Sequence, residues 1–183
     1  MDGKTVLAPK QQLQEVYNAI RTYEESPAWD AYLVDDMLKA HACMMQGLCP
    51  EPGRFRTGGV GVFAGEKLIH MAPPAHLVPT LMHQLFDWLK HAEDHLLIRS
   101  CVFHYEFEFI HPFADGNGRI GRMWHTLLLA QWKSFFAWLP IEELIAKRQS
   151  EYYKALQMAD AACDCACFVT MMLEVIRDVL QEM

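Results

Sequence analysis

A run of four turn-forming residues, Asp115 to Gly118, separates two long apolar segments and constrains the fold more than any other feature of this 183-residue chain. Glycine and asparagine in succession require the backbone to turn. Before the break, Leu96 to Phe109 is apolar on most faces. After it, apolar residues recur with helical rather than strand spacing, namely Ile120, Met123, Trp124, Leu127, Leu128 and Leu129. The pattern predicts a helix, a loop, and a second helix that begins near Asn117 or Gly118.

The start of this second helix is suited to binding an anion. Glycine lets backbone N–H groups approach a ligand closely, and a helix start leaves several N–H groups unpaired. Arg119 and Arg122 lie three residues apart on the first turn, where cations oppose the helix macrodipole at a cost of some tenths of a kcal/mol each. Two arginines there make physical sense if a polyanion lies between them, because the guanidinium fork fits phosphate oxygens.

Asp115 and His111 complete the predicted site. A carboxylate beside a bound phosphate commonly holds Mg²⁺, and a histidine just upstream can act as a general base near neutral pH. We interpret residues 111–122 as a nucleotide-phosphate and Mg²⁺ site for group transfer from a nucleoside triphosphate. The alternative is a Gly-Asn-Gly turn that caps a surface helix beside two solvated arginines.

The string His111 to Arg122, HPFADGNGRIGR, resembles the Fic family motif His-Pro-Phe-x-Asp/Glu-Gly-Asn-Gly-Arg-x-x-Arg at every fixed position. The resemblance implies a protein adenylyltransferase that moves AMP from ATP to a hydroxyl side chain of a target protein. It implies that His111 deprotonates the hydroxyl and that Asp115 binds Mg²⁺. The nucleotide-binding residues it implies are Gly116, Asn117, Gly118, Arg119, Gly121 and Arg122.

Periodicity along the rest of the chain predicts an all-α domain of about seven helices with one β-hairpin flap, and a single domain over residues 1–183. The resemblance implies that this domain has the Fic fold. The predicted helices are 8–23, 30–46, 76–92, 96–109, 119–132, 141–160 and 168–180. The first carries its apolar stripe on Leu13, Val16, Tyr17 and Ile20. The fourth and fifth are apolar nearly all round and are expected to be central.

The flap is predicted at about 53–74, where glycine and proline cluster. Strands Gly61 to Phe63 and Lys67 to Met71 flank the turn Ala64-Gly65-Glu66. Either this is a plain surface flap, or its open edge at about 61–71 pairs with an extended segment of the target protein. The stretch Gly53 to Arg56 also resembles the family's approach to the flap.

Several other residues invite a role. Tyr152 and Tyr153 resemble positions on the family's helix beside the nucleotide base, where either could stack on adenine or pack in the core. His41 is interpreted as a half-buried helix residue, and His91 and His95 as solvated. The run Cys163, Cys165, Cys167 would fan around a helix, which is poor zinc geometry, so the six cysteines are expected to be reduced and mostly buried.

Composition excludes some classes of function. A net charge of −7 argues against general nucleic-acid binding. No apolar run reaches the length of a membrane span, and the sequence Met1 to Lys4 lacks the apolar core of a signal peptide. Reduced cysteines favour the cytoplasm.

The alternatives to adenylylation are other Fic chemistry, namely de-AMPylation or transfer of another phosphate-containing group, and a non-enzymatic nucleotide-binding regulatory module. Many Fic proteins carry an inhibitory helix, Ser/Thr-x-x-x-Glu-Gly/Asn, whose glutamate pairs with the second motif arginine, here Arg122. The nearest string, Thr170 to Glu174, is followed by Val175 and is interpreted as core helix. The sequence therefore predicts a regulator that is missing from this chain or supplied by a separate inhibitory partner.

Overall fold

The computed structural model describes residues 9–64 and 67–181, without the side chains of 62–69. The hairpin turn at residues 65–66 and the N-terminal stretch at Met1 to Lys4 lie outside the described residues. Eight α-helices, three short 3-10 helices and one hairpin are the regular elements of the described part of the chain. The helices are α1 (Lys10–Glu25), α2 (Val34–Met44), α3 (Val78–His91), α4 (Leu96–Ile110), α5 (Asn117–Trp132), α6 (Ile141–Lys147), α7 (Gln149–Ala162) and α8 (Ala166–Gln181).

The predicted sixth helix, 141–160, is wrong as a single helix. Arg148 leaves the helical conformation, with φ −106° and ψ 29°, and divides the segment into α6 and α7. The turn lets both pieces pack on α8: Ile141, Leu144 and Ile145 from α6 share one core with Tyr152 from α7.

Helices α4 and α5 are central, as predicted. Phe103 and Phe107 of α4 and Trp124 of α5 are fully buried in a core shared with α2 and α3. Other faces of the same two helices enter a second core, where Tyr105 and Leu129 meet α6, α7 and α8. The α4–α5 pair is therefore fixed from both sides, and the loop between the two helices is mounted on the most buried part of the molecule.

Helix α1 forms as predicted, but its apolar stripe does not face the core. Leu13, Val16, Tyr17 and Ile20 are all exposed, and the buried residues are Asn18 and Thr22. The amide of Asn18 donates to the carbonyls of Met44 (3.1 Å) and Gln46 (2.8 Å) at the end of α2. A helix end needs such donors for its last carbonyls, and this need decides which side of α1 packs inward.

The hairpin is confirmed. Strand β1 (Gly61–Ala64) pairs antiparallel with β2 (Lys67–Met71), with Gly61 opposite Met71 and Val62 opposite His70, and the register shifts between Val62 and Phe63. Each strand has only the other as a partner among the described residues. No helix in the described ranges is long and apolar enough to cross a membrane.

The cysteine run spans a helix junction rather than one helix. Cys163 ends α7 at φ 51°, Cys165 lies in the turn, and Cys167 belongs to α8. All six cysteines are free thiols, as predicted, but only Cys43 and Cys101 are buried. Within the ranges the structure describes, no three His, Cys, Asp or Glu side chains cluster as metal ligands.

Candidate active site

His111 ends α4 in the left-handed conformation, with φ 49° and ψ 61°. Such backbone is uncommon outside glycine, and here Pro112 disfavours continuation of the helix at the preceding residue. The ring Nδ1 of His111 lies 3.3 Å from the backbone oxygen of Glu108, one turn back. Because a carbonyl only accepts, Nδ1 carries the proton in this contact and the lone pair of the neutral ring is on Nε2.

The His111 imidazole is held neutral. Burial lowers its pKa to about 4, with smaller contributions in the same direction from Arg56 and His70; the Glu108 carbonyl and Asp115 oppose the shift. Its side chain is 16% exposed, so the ring is sheltered but still reachable. A neutral ring with a defined lone pair is the form that a general base requires.

Asn117 shapes the loop with its side chain. Its Oδ1 accepts from the N–H of Phe113 (2.8 Å) and its Nδ2 donates to the Phe113 carbonyl (2.8 Å). The residue is 2% exposed, so this amide closes the loop and leaves only the backbone N–H for a ligand. The predicted phosphate-binding role of Asn117 can therefore concern only its backbone.

The start of α5 presents unpaired donors. No acceptor among the described residues serves the N–H groups of Asn117, Gly118 or Arg119, and the N-cap, Gly116, supplies no side chain. Gly116 has φ 83°, and a Cβ there would lie 2.6 Å from the sulfur of Met45. A Cβ on Gly118 would lie 3.0 Å from Nη1 of Arg122. The two glycines keep the backbone close to its neighbours and the three N–H groups accessible.

The two motif arginines have different environments. Arg119 lies 3.3 Å from Asp115 Oδ1 and 3.8 Å from Glu15 on α1, so its charge is already partly balanced. Arg122 makes no hydrogen bond or ion pair with any described residue, and its guanidinium lies beside Gly118. Of the two motif arginines, Arg122 is therefore the one that no described residue pairs with, and it is available for an incoming anion.

Asp115 fits Mg²⁺ only as one ligand of several. Its carboxylate is 60% exposed; Oδ1 accepts from the N–H of Gly116 (2.6 Å) and contacts Arg119. Mg²⁺ is commonly bound through one or two carboxylates, with waters and substrate phosphates completing the octahedron. An exposed carboxylate at the edge of a row of unpaired N–H groups meets that requirement, and the remaining ligands would have to come from nucleotide and water.

His41 was missed as part of the site. It is 1% exposed and stacks on Phe113 with ring centroids 3.7 Å apart. Its Nδ1 accepts from the N–H of Gly53 (2.8 Å) and its Nε2 donates to the Asp115 carbonyl (3.0 Å). Burial lowers its pKa, so the neutral ring that can both accept and donate is favoured. His41 ties the active-site loop to the segment that leads to the flap.

Arg56 was missed as well. It is 4% exposed, and its guanidinium donates to four backbone carbonyls, those of His111 (2.7 Å), Ile110 (3.2 Å), Gly58 (2.9 Å) and Pro73 (2.6 Å). One side chain thus joins the end of α4 to both ends of the flap. The resemblance of Gly53 to Arg56 to the family's flap approach was the one available signal, and it did not distinguish Arg56 from the exposed Arg54.

The two tyrosines differ in accessibility. Tyr152 is buried, and its hydroxyl lies 2.9 Å from Nε2 of His104, which favours core packing over stacking on a base. Tyr153 is half-buried and lines a cleft between β2, α4 and α7. Across the cleft His70 contacts Asp160 (2.8 Å) and the Phe109 carbonyl (2.8 Å).

Gly121 faces a neighbouring helix. A Cβ on it would lie 2.6 Å from Oε1 of Glu108 and 3.1 Å from the ring of Phe107, both on α4. Its predicted nucleotide-binding role therefore has a packing explanation beside it: the glycine permits close approach of α5 to α4.

His91 ends α3 and His95 caps α4, and both are solvated as expected.

The fold and the motif together define a Fic-type domain. A model of the Fic/DOC family matches residues 31–129, more than half of the chain, and the chain belongs to that family. A crystal structure of a Fic family protein from Desulfovibrio desulfuricans G20 superposes with a TM-score of 0.95 at 54% identity, over 99% of this chain and 56% of that one.

Relatives with this domain include protein adenylyltransferases. A probable protein adenylyltransferase of Aquifex aeolicus (strain VF5) is 40% identical over 81 residues, which are 44% of this chain and 24% of that protein. The protein adenylyltransferase fic-1 of Caenorhabditis elegans is 31% identical over 136 residues, 72% of this chain and 25% of that protein. The chain spans about a quarter of the length of these curated relatives.

Proposed function

We propose that this chain is a protein adenylyltransferase that transfers AMP from Mg-ATP to a hydroxyl side chain of a target protein, as a single Fic domain over residues 1–183. The observation that carries the proposal is a neutral His111, its Nδ1 proton fixed on a carbonyl, beside three N–H groups and an Arg122 side chain that have no partner among the described residues. The protein adenylyltransferases among its relatives support the same chemistry.

In the proposed reaction, Nε2 of His111 takes the proton of the target hydroxyl as its oxygen bonds to the α-phosphorus of ATP. The bond from that phosphorus to the bridging oxygen breaks, and pyrophosphate leaves with the electron pair. The N–H groups of residues 117–119 and the side chain of Arg122 neutralise phosphate charge, which in phosphoryl-type transfers contributes most of the rate. Mg²⁺ on Asp115 would supply further charge neutralisation.

The cleft beside Tyr153 is the proposed place of the nucleotide base, with the ring of Tyr153 as the stacking surface; Tyr152 lies behind it in the core. The target is proposed to dock on the flap at about 61–71, where each strand has a single partner among the residues described and one edge is left for strand addition.

Labelled ATP separates the proposed activity from its alternatives. Wild type and His111→Ala are incubated with lysate and ATP labelled at the α- or the γ-phosphate. Adenylylation is supported if label from the α-phosphate, but not from the γ-phosphate, appears on protein, and if His111→Ala lowers this labelling by roughly 10²-fold or more. Label from γ indicates transfer of another group, release of AMP from a modified protein indicates de-AMPylation, and label that stays as bound nucleotide indicates a regulatory module.

Regulation and metal use are tested on the same assay. We propose that the site is blocked at Arg122 only by a regulator that is missing from this chain or supplied by a partner. The purified chain should therefore be active without any activating mutation. Met171, Met172 and Val175 are buried core residues of α8, which supports the interpretation of Thr170 to Glu174 as core helix. A large rise in activity in Glu174→Gly would overturn it.

Asp115→Ala should weaken the Mg²⁺ dependence of the activity. Superimposable Mg²⁺ titrations of wild type and the variant would exclude the metal role. The cytoplasmic location stays a prediction.

A further inference from the structure

A buried carboxylate lies directly behind the candidate base. Glu108, one turn before His111 on α4, is 8% exposed, and its Oε1 has no hydrogen-bond partner among the described residues. An unpaired carboxylate in such a place is costly, since burial disfavours the charged form. A role in packing alone would be served better by an apolar residue.

The opposite helix makes room for this carboxylate. Gly121 of α5 faces Glu108, and a Cβ at that position would lie 2.6 Å from Oε1. Any other residue at 121 would displace the carboxyl group or separate α4 from α5. Two helices are thus shaped around one carboxylate whose side chain makes no hydrogen bond within the part of the chain that the structure describes.

The charged and titratable groups nearest to Glu108 come from α4, α5 and α7. Its Oε2 lies 3.8 Å from Nδ1 of His111, and Oε1 lies 4.0 Å from Nε2 of His104. From α5 and α7, Arg122 and Tyr152 interact with it electrostatically. Burial raises the pKa of Glu108 to about 7, and the nearby Arg122 opposes the shift. The group therefore changes charge near neutral pH.

The remaining groups lie across the cleft that Glu108 also lines. They are His70 on the flap, Tyr105 on α4, and Tyr153 and Asp160 on α7. His70 and Asp160 are paired with each other at 2.8 Å. Of the ionisable neighbours, only His111 has both a short path to the carboxylate and a change of charge during the proposed reaction.

We propose that Glu108 is a positioning residue for the transfer step: its carboxylate stabilises the imidazolium that His111 becomes when it takes the target's proton. The inference rests on the proposed function. The proton moves from the hydroxyl to Nε2 while the O–P bond forms and pyrophosphate departs. The Nδ1 proton stays between the Glu108 backbone oxygen and its carboxylate, in the role that a buried carboxylate has behind the histidine of a Ser-His-Asp triad.

The test is Glu108→Gln, which keeps the shape and removes the charge, with Glu106→Gln on the same helix as a matched control. In wild type, kcat should rise with pH through about 7, as Glu108 ionises. In Glu108→Gln that rise should disappear, and kcat at pH 8 should fall by roughly 10- to 100-fold. The loss should be smaller than for a variant in which His111 adopts the wrong tautomer, because the Glu108 backbone oxygen still holds the Nδ1 proton. KM for ATP should change little. Glu106→Gln should keep the wild-type profile.

Two further readouts separate this role from a structural one. Glu108→Gln should unfold at higher urea concentration than wild type at pH 8, because the buried charge is gone; a structural carboxylate would give the opposite shift. The NMR resonance of the His111 ring should show an inflection near pH 7 in wild type that Glu108→Gln lacks. The proposal is overturned by an unchanged pH profile, by lower stability of the variant at pH 8, or by equal ring titrations. The ring titration tests the interaction of Glu108 with His111 even if wild type transfers no AMP. The absence of AMP transfer would instead refute the proposed function.

Discussion

Replacing Arg56 tests whether the flap and the active site are held together by one side chain. The Arg56→Met variant keeps most of the apolar volume and removes all four donors to carbonyls. Two of these carbonyls, of Ile110 and His111, belong to the last turn of α4, where helix carbonyls lack intrahelical partners. Removing Arg56 therefore leaves buried acceptors without donors, in addition to the lost hydrogen bonds.

The size of the effect follows from the contacts. Hydrogen bonds to a charged donor are worth about 1.5–3 kcal/mol each. Burying the guanidinium without a carboxylate partner costs several kcal/mol in return, since burial lowers the pKa of Arg56 by desolvation. We expect a net loss of about 3–5 kcal/mol in the free energy of unfolding for Arg56→Met. Arg56→Lys should lose less, about 1–2 kcal/mol, because an ammonium keeps the charge and loses the fork.

Urea unfolding at pH 7.5 measures the stability change, and amide exchange at residues 67–71 and at His111 and Phe113 reports where it acts. Arg54→Met is the matched control, since Arg54 is two residues away and exposed, and should change stability by less than about 0.5 kcal/mol. Equal unfolding midpoints for Arg56→Met and Arg54→Met, or amide exchange that accelerates elsewhere but not in these two segments, would refute the reasoning.

Three more perturbations address the loop and the buried histidines. Asn117→Ala should lower the free energy of unfolding by about 1–3 kcal/mol, because both backbone groups of Phe113 lose their partner; urea midpoints check this, and no change would exclude the bracing role. His41→Phe can keep the stacking on Phe113 but should still cost about 1–3 kcal/mol through two unpaired backbone groups, measured by calorimetry. Burial lowers the pKa of His111 and of His125 to about 4 from the ordinary 6.5, so the unfolded chain binds more protons between those values. Each histidine should therefore remove up to about 1.4 kcal/mol of stability per pH unit as pH falls from 6.5 towards 4. His125→Gln should flatten that slope, and an unchanged slope would contradict the assignment.

Sequence patterns predicted the parts of the fold that depend on one-dimensional spacing. Local sequence patterns indicate the fourth and fifth helices, the loop and the hairpin, because the spacing of apolar residues and the turn-forming residues lie within each element. The break at Arg148 carries no glycine or proline, so nothing local distinguishes it from helix. It arises because α6 and α7 must both pack against α8, which is a tertiary requirement.

The same distinction explains the candidate site. The residues proposed to face a ligand are adjacent in sequence, so a motif could indicate them. The residues that brace the loop come from α2 and from the flap approach, and their side-chain types carry no sign of the role. His41 looks like any helix histidine until Phe113 lies beside it, and Asn117 looks like a ligand-binding amide until its hydrogen bonds to Phe113 are seen. The apolar stripe on α1 gave no sign that Asn18, on the other side of the helix, is buried against the last carbonyls of α2.

The bracing also bears on how the site would work. Asn117 closes the loop on itself, His41 joins it to the residues before the flap, and Arg56 joins the end of α4 to both ends of the flap. Each tie uses a buried polar group and a backbone atom, so the loop is ordered before any nucleotide arrives. Under the proposed function, binding energy is then not consumed in folding the loop and can be directed to the transferred phosphate. The flap shares the Arg56 contact, so a target that docks on the flap as proposed would also act, through Arg56, on the backbone carbonyl of His111, the proposed base. Coupling between target docking and His111 is therefore expected to pass through Arg56, which makes Arg56→Lys the variant in which target affinity and turnover should change together.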